Sequence, residues 1–336
     1  MNKYFNPKGD DSLDQKIYGS NPIGFTNFNE SRYGWAIPIY KGMENNSWFP
    51  SEVDTSSARK EYQKMNSTEQ FRLKAGFAQL SFNDSIQEDY LLDIRKHTTN
   101  KIVKAVLTVQ AMQEINHSNS YSTLLDASGN SEEVFSMYRT DQELLEKNTR
   151  ISEQFARHIE GNTSDKLLLS AMASIVMEGI YFQLGFANIY LFGKEKASSA
   201  IDMVEFIARD ELDTHLPIFT NIFKTIMREN NIGSDVIKQC YQIMEEAVEI
   251  ELKYGQYLLS KGNILGLNFQ VLDDTIKNYA NQRLRAIGLE RIYPVKDKTY
   301  LEKLVASHRK INDSKVNFFE GNVKAYVKGS IDIDDF

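Results

Sequence analysis

Cysteine occurs once in 336 residues, at Cys240. An internal disulfide and any cysteine-based zinc site are therefore excluded, and the count suits a reducing compartment. A reduction that needs a redox-active thiol pair cannot be completed by this polypeptide alone. Proline is also scarce, with six residues, of which Pro7, Pro22, Pro38 and Pro50 fall within the first fifty. Positive charge is in deficit: 39 Lys and Arg stand against 46 Asp and Glu, a net charge of −7, and the basic residues are spread along the chain. That distribution argues against a nucleic-acid footprint and leaves no polybasic patch for anionic lipid. No strand-turn-strand alternation of any length and no solenoid-type repeat is present. The N-terminus, Met1 to Asp11, lacks the apolar run of a signal peptide, so a cytoplasmic protein is expected.

With 41% apolar and 25% charged residues, the chain has the composition of one large globular domain or two small ones. Residues 1–60 read as an irregular arm whose aromatics (Phe25, Phe28, Tyr33, Trp35, Trp48, Phe49) suggest docking onto a body. Residues 61–308 read as a helical bundle, and residues 309–336 as a polar tail of flexible composition. Within the bundle, Ser67-x-x-Gln70 resembles a capping box that opens an amphipathic run to about Ile86. A second helix is expected over about 100–125, with a buried stripe of Ile102, Val103, Val106, Leu107, Val109 and Met112. Helical patterning resumes over 131–159, with Glu143, Glu146 and Lys147 on a polar face. A third helix spans about Ser164 to Phe192. A fourth, capped near Ser198 and Ser199, runs through His215 towards Met227, and further patterns cover about 234–259, 266–287 and 301–307.

From Leu167 onward the third helix has only Glu178, Gln183 and Asn188 as strongly polar residues. About 20 apolar residues suffice to cross a bilayer. A central carboxylate is costly in lipid, so a helix buried at the middle of a bundle accounts for the composition better and no membrane association is expected.

Glu114, His117 and Tyr121 are spaced by three and four, which puts a carboxylate, an imidazole and a phenol on one helical face. A lone Glu-x-x-His pair is weak evidence. Here it has partners: Asp84 on the first long helix, Glu178 on the third, Glu211 and His215 on the fourth. One carboxylate from each of two helices and a Glu/His pair from each of the other two is the pattern of dinuclear carboxylate bundles. Divalent iron or manganese accepts carboxylate oxygen with one imidazole each, and four carboxylates neutralise two such ions in a dry core. The fold class expected is therefore all-α, a ferritin-like helical bundle with a dinuclear metal site in its core.

Several stretches together are similar to the small (beta, radical-generating) subunit of class I ribonucleotide reductase. They are Asn21-Pro-Ile-Gly-Phe25, Trp48-Phe-Pro-Ser-Glu-Val-Asp54, Asp84-Ser-Ile-Gln87, Glu114-x-x-His117-Ser-x-Ser-Tyr121, Glu178-Gly-Ile-Tyr-Phe182, Ile207-Ala-Arg-Asp-Glu211 and Asn317 to Tyr326, followed by an acidic tail ending in Phe336. The resemblance implies that Asp84, Glu114 and His117 hold one metal, and Glu178, Glu211 and His215 mainly the other, with bridging carboxylates. It implies two metal ions per chain, iron first, with manganese or a manganese–iron pair also accommodated. It implies O2 as co-substrate, Tyr121 as the ring oxidised to a radical, and Phe182, Phe186 and Ile207 as an apolar pocket around that ring. Trp48, Asp210 and His117 become the start of a proton-coupled electron path, continued by Tyr326. The tail, anchored by Phe336, becomes the docking element for the large subunit, whose cysteines reduce the nucleotide, and a homodimer is expected. Another dinuclear oxidase of the same fold, such as a ligand-binding oxidase or ferroxidase, would share the six ligands but has no use for Trp48, Tyr326 and a Phe-ended tail. A metal-free scaffold is opposed by the lone carboxylate of Glu178.

One departure concerns the fourth helix, where Arg209-Asp-Glu-Leu-Asp-Thr-His215 carries one residue more between the ligands than the family's Arg-Asp-Glu-x-x-His. Either a π-bulge absorbs the extra residue, or Asp213 or Thr214 alters the surroundings of the second metal.

Overall fold

The computed structural model describes residues 4–159, 162–264, 267–295 and 298–308. Among these residues the architecture is helical, and pairing of extended backbone is limited to isolated bridges, Asp10 with Pro22 and Ile264 with Leu267. The arm contains more regular structure than its proline and glycine content announces. It holds helix α1 (Ala36–Asn45), a 3-10 turn (Pro50–Glu52) and helix α2 (Ala58–Lys64). Its aromatics divide: Tyr33 and Trp48 are buried, whereas Phe25 and Phe49 are 65% and 63% exposed. Docking is polar as well as apolar. The Tyr33 hydroxyl donates to Glu229 Oε2 at 2.8 Å and accepts from the Ile17 amide at 2.8 Å, while Gln15 Oε1 accepts from the Lys101 amide at 3.0 Å.

Helix α3 (Ser67–His97) is longer than its apolar pattern suggests, and its cap lies one residue earlier than expected. Asn66 accepts from the Glu69 amide and Glu69 answers to the Asn66 amide, a reciprocal arrangement that satisfies donors left open at a helix start. Helix α4 (Lys101–Ser128) begins at the Asn100 cap and stops at Gly129, whose φ of 79° supplies the left-handed residue that ends a helix. The next helical stretch is two helices, α5 (Ser131–Thr140) and α6 (Gln142–Ile159).

Ser164–Tyr190 forms one continuous helix, built of α7 (Ser164–Val176), a π turn (Met177–Tyr181) and α8 (Phe182–Tyr190). It is long and apolar enough to cross a membrane, yet its apolar window lies wholly inside the bundle. Next come α9 (Lys194–Asp210), a second π turn (Glu211–His215) and α10 (Leu216–Glu229). Helix α9 is kinked at Ala197, so its regular part starts at the expected serines. Helices α11 (Ser234–Ser260) and α12 (Phe269–Ala286) come after it, with a last helical segment over 300–308.

Helix α3 lies along α4 and α8, α9 closes against α4 and α8, and α10 runs beside α7, so the two π turns face each other. Helices α6, α11 and α12 cover the α7 side, while α1 and α2 close the α4 side.

Lys147 departs from its expected place on a polar face. Glu143 and Glu146 meet Lys253 at the surface, but Lys147 turns inward to Glu251 Oε2 at 2.7 Å and is 3% exposed. The reason is register: Lys147 falls three residues after Leu144 and four before Ile151, both fully buried, which is the core stripe of α6. Its ammonium also sits 3.8 Å from the Tyr254 ring centroid. Lys147→Met should therefore strand the Glu251 carboxylate and cost about 3–5 kcal/mol in urea unfolding, whereas pairing it with Glu251→Leu should recover most of the loss. Equal destabilisation by the single and double variants would contradict this account.

Candidate metal centre

Each of the two ligand-bearing π turns has a local cause. In the first, Gly179 leaves room for Arg283; a Cβ there would lie 2.6 Å from Arg283 Nε. Arg283 Nε donates to the Gly179 carbonyl at 3.3 Å and Gln183 Nε2 to the Glu178 carbonyl at 2.9 Å, so side chains serve the widened turn. In the second, the ladder steps to i+5, with the Leu216 amide bonded to the Glu211 carbonyl, just before Pro217, which has no amide hydrogen to give. The Thr214 hydroxyl donates to the Asp210 carbonyl at 2.7 Å. The widened turn thus absorbs the extra residue between Glu211 and His215 and keeps both on the inner face.

Asp84 from α3, Glu114 and His117 from α4, Glu178 from the first π turn, and Glu211 and His215 from the second all converge, fully buried. Their donor atoms form two overlapping groups, Asp84–Glu114–His117–Glu211 and Glu114–Glu178–Glu211–His215, each with its atoms within 4.8 Å of one another. Glu114 and Glu211 belong to both groups, which is the placement required of bridging carboxylates. His117 Nδ1 lies 3.1 Å from Asp84 Oδ1 and 3.0 Å from Glu211 Oε1, and His215 Nδ1 lies 2.7 Å from Glu211 Oε2 and 3.1 Å from Glu114 Oε1.

These residues fit a pair of divalent cations. Asp84 Oδ2, Glu114 Oε2 and Glu178 Oε2 are buried oxygens without a hydrogen-bond partner, and Glu211 Oε1 faces the His117 imidazole. Buried polar atoms are rarely left so, and three in one cavity call for cations. Without them the cluster redistributes protons. Burial pushes Asp84 and Glu178 well above the usual carboxylate range. Burial acts the same way on Glu211, but His215 and His117 overcome it and hold Glu211 low. Burial works against the charged form of His215, yet Glu211 and Glu114 hold its pKa up at about 10.

Trp48 and Asp210 meet the cluster at His117. The Trp48 indole Nε1 donates to Asp210 Oδ2 at 2.7 Å, and the same oxygen lies 3.3 Å from His117 Nε2. Arg209 holds the other oxygen, Asp210 Oδ1, through Nε at 3.2 Å and Nη2 at 3.0 Å. Although burial tends to raise it, Asp210 is kept below the ordinary carboxylate value by His117 and Arg209. On its outer side Trp48 stacks on Phe206, with ring centroids 5.0 Å apart.

Tyr121 is fully buried, and its hydroxyl has no hydrogen-bond partner. Burial first, then the charges of Asp84 and Glu211, raise its pKa far above that of a free phenol. The Phe77 ring lies beside it, 5.8 Å between centroids. Phe182, Phe186 and Ile207 are fully buried in the chain's inner helices, and Phe182 stacks on Phe186 at 5.7 Å. Tyr326 and Phe336 lie outside the described residues.

Sequence reasoning missed Phe77 and three glutamines. Gln87 Nε2 and Gln110 Nε2 donate to Glu178 Oε1 at 2.8 and 3.0 Å, and Gln113 Oε1 sits 3.0 Å from His215 Nε2. A signal existed: Phe77 and Gln87 lie seven before and three after Asp84, and Gln110 lies four before Glu114, all on ligand-bearing faces.

The family model for the ribonucleotide reductase small chain matches residues 25–300. The chain belongs to this family. It is 31% identical over 340 residues to the ribonucleoside-diphosphate reductase subunit beta of Treponema pallidum, covering 98% of this chain and 96% of that one. The subunit beta of Halalkalibacterium halodurans is 30% identical over 312 residues, covering 91% of this chain and 90% of that one. Among solved structures, the ribonucleotide reductase R2 subunit from Clostridium botulinum superposes with a TM-score of 0.84 at 30% identity, covering 92% of this chain and 98% of that one. As a small chain of this family, the protein carries an oxidoreductase fold whose core cluster can take two metal ions.

Saturating Mn2+ should raise the unfolding temperature of the chelator-treated protein, because cations relieve the carboxylate cluster only in the folded state. At a hundredfold excess over the dissociation constant the gain is about 2.7 kcal/mol for one site. Glu178→Ala should lose most of that gain, and an unfolding temperature indifferent to Mn2+ in the wild type would remove the metal reading.

Proposed function

We propose that this protein is the small subunit of a ribonucleoside-diphosphate reductase, which generates an oxidising equivalent and lends it to a large subunit that reduces the nucleotide. The observation that carries the proposal is the continuous link from Trp48 through Asp210 to His117, joined to a six-ligand cluster in the dry core. A ferroxidase or ligand oxidase of the same fold has no need of a buried indole hydrogen-bonded into its ligand set.

Asp84, Glu114 and His117 would hold one metal and Glu178, Glu211 and His215 mainly the other, with Glu114 and Glu211 placed to serve both. Iron is the leading occupant, and the oxygen-rich donor set with one imidazole per ion also suits manganese or a mixed pair. Bound there, a reduced pair of redox-active metals would give electrons to O2, and O2 so activated would supply the oxidising power. The chain's own residues direct that power. Gln87 and Gln110 orient Glu178 by donating to its Oε1. Complete burial of Tyr121 keeps water and reductants from the phenol, and a neutral, fully protonated hydroxyl is the state its surroundings enforce at neutral pH.

Trp48 passes the electron inward while Asp210 Oδ2 keeps hold of the indole hydrogen, and Arg209 fixes the carboxylate for both partners. Tyr326 and the Phe336 end serve, in this proposal, as the continuation of the path and the dock for the large subunit. The division of labour agrees with the single cysteine. Cys240 is buried and its thiol is pushed up to about 12, so no dithiol is offered to a ribonucleotide.

Adding Fe2+ or Mn2+ and an oxidant to the purified protein should give two metals per chain and an organic radical in the EPR spectrum. Tyr121→Phe should keep the metals and lose both the radical and activity with the large subunit; a surviving radical would reassign it. Deleting the residues after Lys328 should leave metal content intact while weakening large-subunit affinity at least tenfold. Unchanged affinity would discard the tail as the dock.

A further inference from the structure

The two imidazoles of the cluster turn the same nitrogen inward but have different partners behind them. His117 Nδ1 faces Asp84 and Glu211, and its Nε2 is backed by the Asp210 carboxylate. His215 Nδ1 faces Glu211 and Glu114, and its Nε2 is backed by the side-chain oxygen of Gln113 at 3.0 Å. Gln113 is 5% exposed, so water does not compete for that contact.

An amide oxygen only accepts hydrogen bonds, so a neutral His215 beside it must carry its hydrogen on Nε2. That leaves the Nδ1 lone pair directed at Glu211 and Glu114, where a metal ligand is needed. With the opposite tautomer, Nδ1–H would point into the carboxylates and the imidazole could not ligate. At His117 the same choice is enforced by a carboxylate that is itself tied to Trp48 and Arg209. Metal-bound histidines commonly depend on such an acceptor behind the ring.

We propose that Gln113 is a positioning residue that fixes His215 in its Nδ1-ligating tautomer and thereby sets the metal affinity of the Glu178–Glu211–His215 half of the centre. This inference rests on the dinuclear metal reading above. It assigns to Gln113 a role towards one metal position only, because the other position is held by His117 and Asp210.

The test is a Mn2+ titration of the full-length, chelator-treated protein, read by calorimetry and by EPR of bound manganese. Wild type should bind two Mn2+ per chain and show an exchange-coupled pair. Gln113→Met keeps the side chain's length but offers the imidazole no good acceptor. It should retain one site, seen as an isolated Mn2+ signal, and weaken the other by about 10–100-fold. Gln113→Glu, which restores an acceptor oxygen, should return the coupled pair. Equal weakening of both sites in Gln113→Met, unchanged binding, or failure of Gln113→Glu to rescue would each overturn the assignment. A wild type that binds fewer than two Mn2+ would instead refute the dinuclear reading itself.

Discussion

Four carboxylates share a volume from which water is excluded, and the rest of the molecule is arranged to make that tolerable. An uncompensated buried charge costs several kcal/mol, so Asp84, Glu114, Glu178 and Glu211 cannot all be ionised unless positive charge sits among them. Protonated imidazoles of His117 and His215 can supply part of it in the absence of metal, and two divalent cations held by the neutral imidazoles would supply it in full. The neighbours complete the balance. The glutamines give hydrogen bonds without adding charge, and Arg209 balances Asp210 one step further out. The long α3 and α4 and the two interrupted helices, α7–α8 and α9–α10, bring these side chains to one level of the bundle.

Much of this arrangement is written in helical spacing. Glu114 and His117 fall on one face by simple periodicity, and Glu178 is conspicuous because the helix around it is otherwise apolar. The extra residue between Glu211 and His215 points to a wide turn, and the structure has one there. The matching turn at Met177–Tyr181 has a weaker trace, since a glycine in a buried helix can mean several things, and only the packing of Arg283 against Gly179 shows which. Lys147 is misleading for a related reason. A charged residue beside two glutamates reads as surface until its register with Leu144 and Ile151 is weighed, and its true partner, Glu251, is a hundred or so residues away. Long-range pairs of that kind, like the contact of Gln113 with His215, leave no local periodic mark.

The arm illustrates how an element of modest regularity becomes indispensable. Trp48 comes from the segment between α1 and α2, outside the bundle helices that carry the ligands, yet its indole reaches the Asp210 carboxylate in the core. Asn116 Nδ2 holds the Trp48 carbonyl at 3.1 Å and Arg209 Nη2 the Asn46 carbonyl at 2.7 Å, so the residues flanking the ligands also fasten the strap that delivers the indole. Position of the arm and readiness of the centre are therefore linked through shared side chains.

The Ser164–Tyr190 helix raises a problem of biosynthesis. It is made before α9 to α12, the helices that later shield it, so for a time a segment with membrane-like hydropathy stands uncovered at the ribosome. Insertion machinery reads hydrophobicity residue by residue and penalises an ionisable group most severely at mid-segment. Glu178 sits near the middle of this stretch, with Gln183 and Asn188 beyond it. The carboxylate proposed to hold metal in the finished protein would thus also weigh against the nascent segment entering the bilayer.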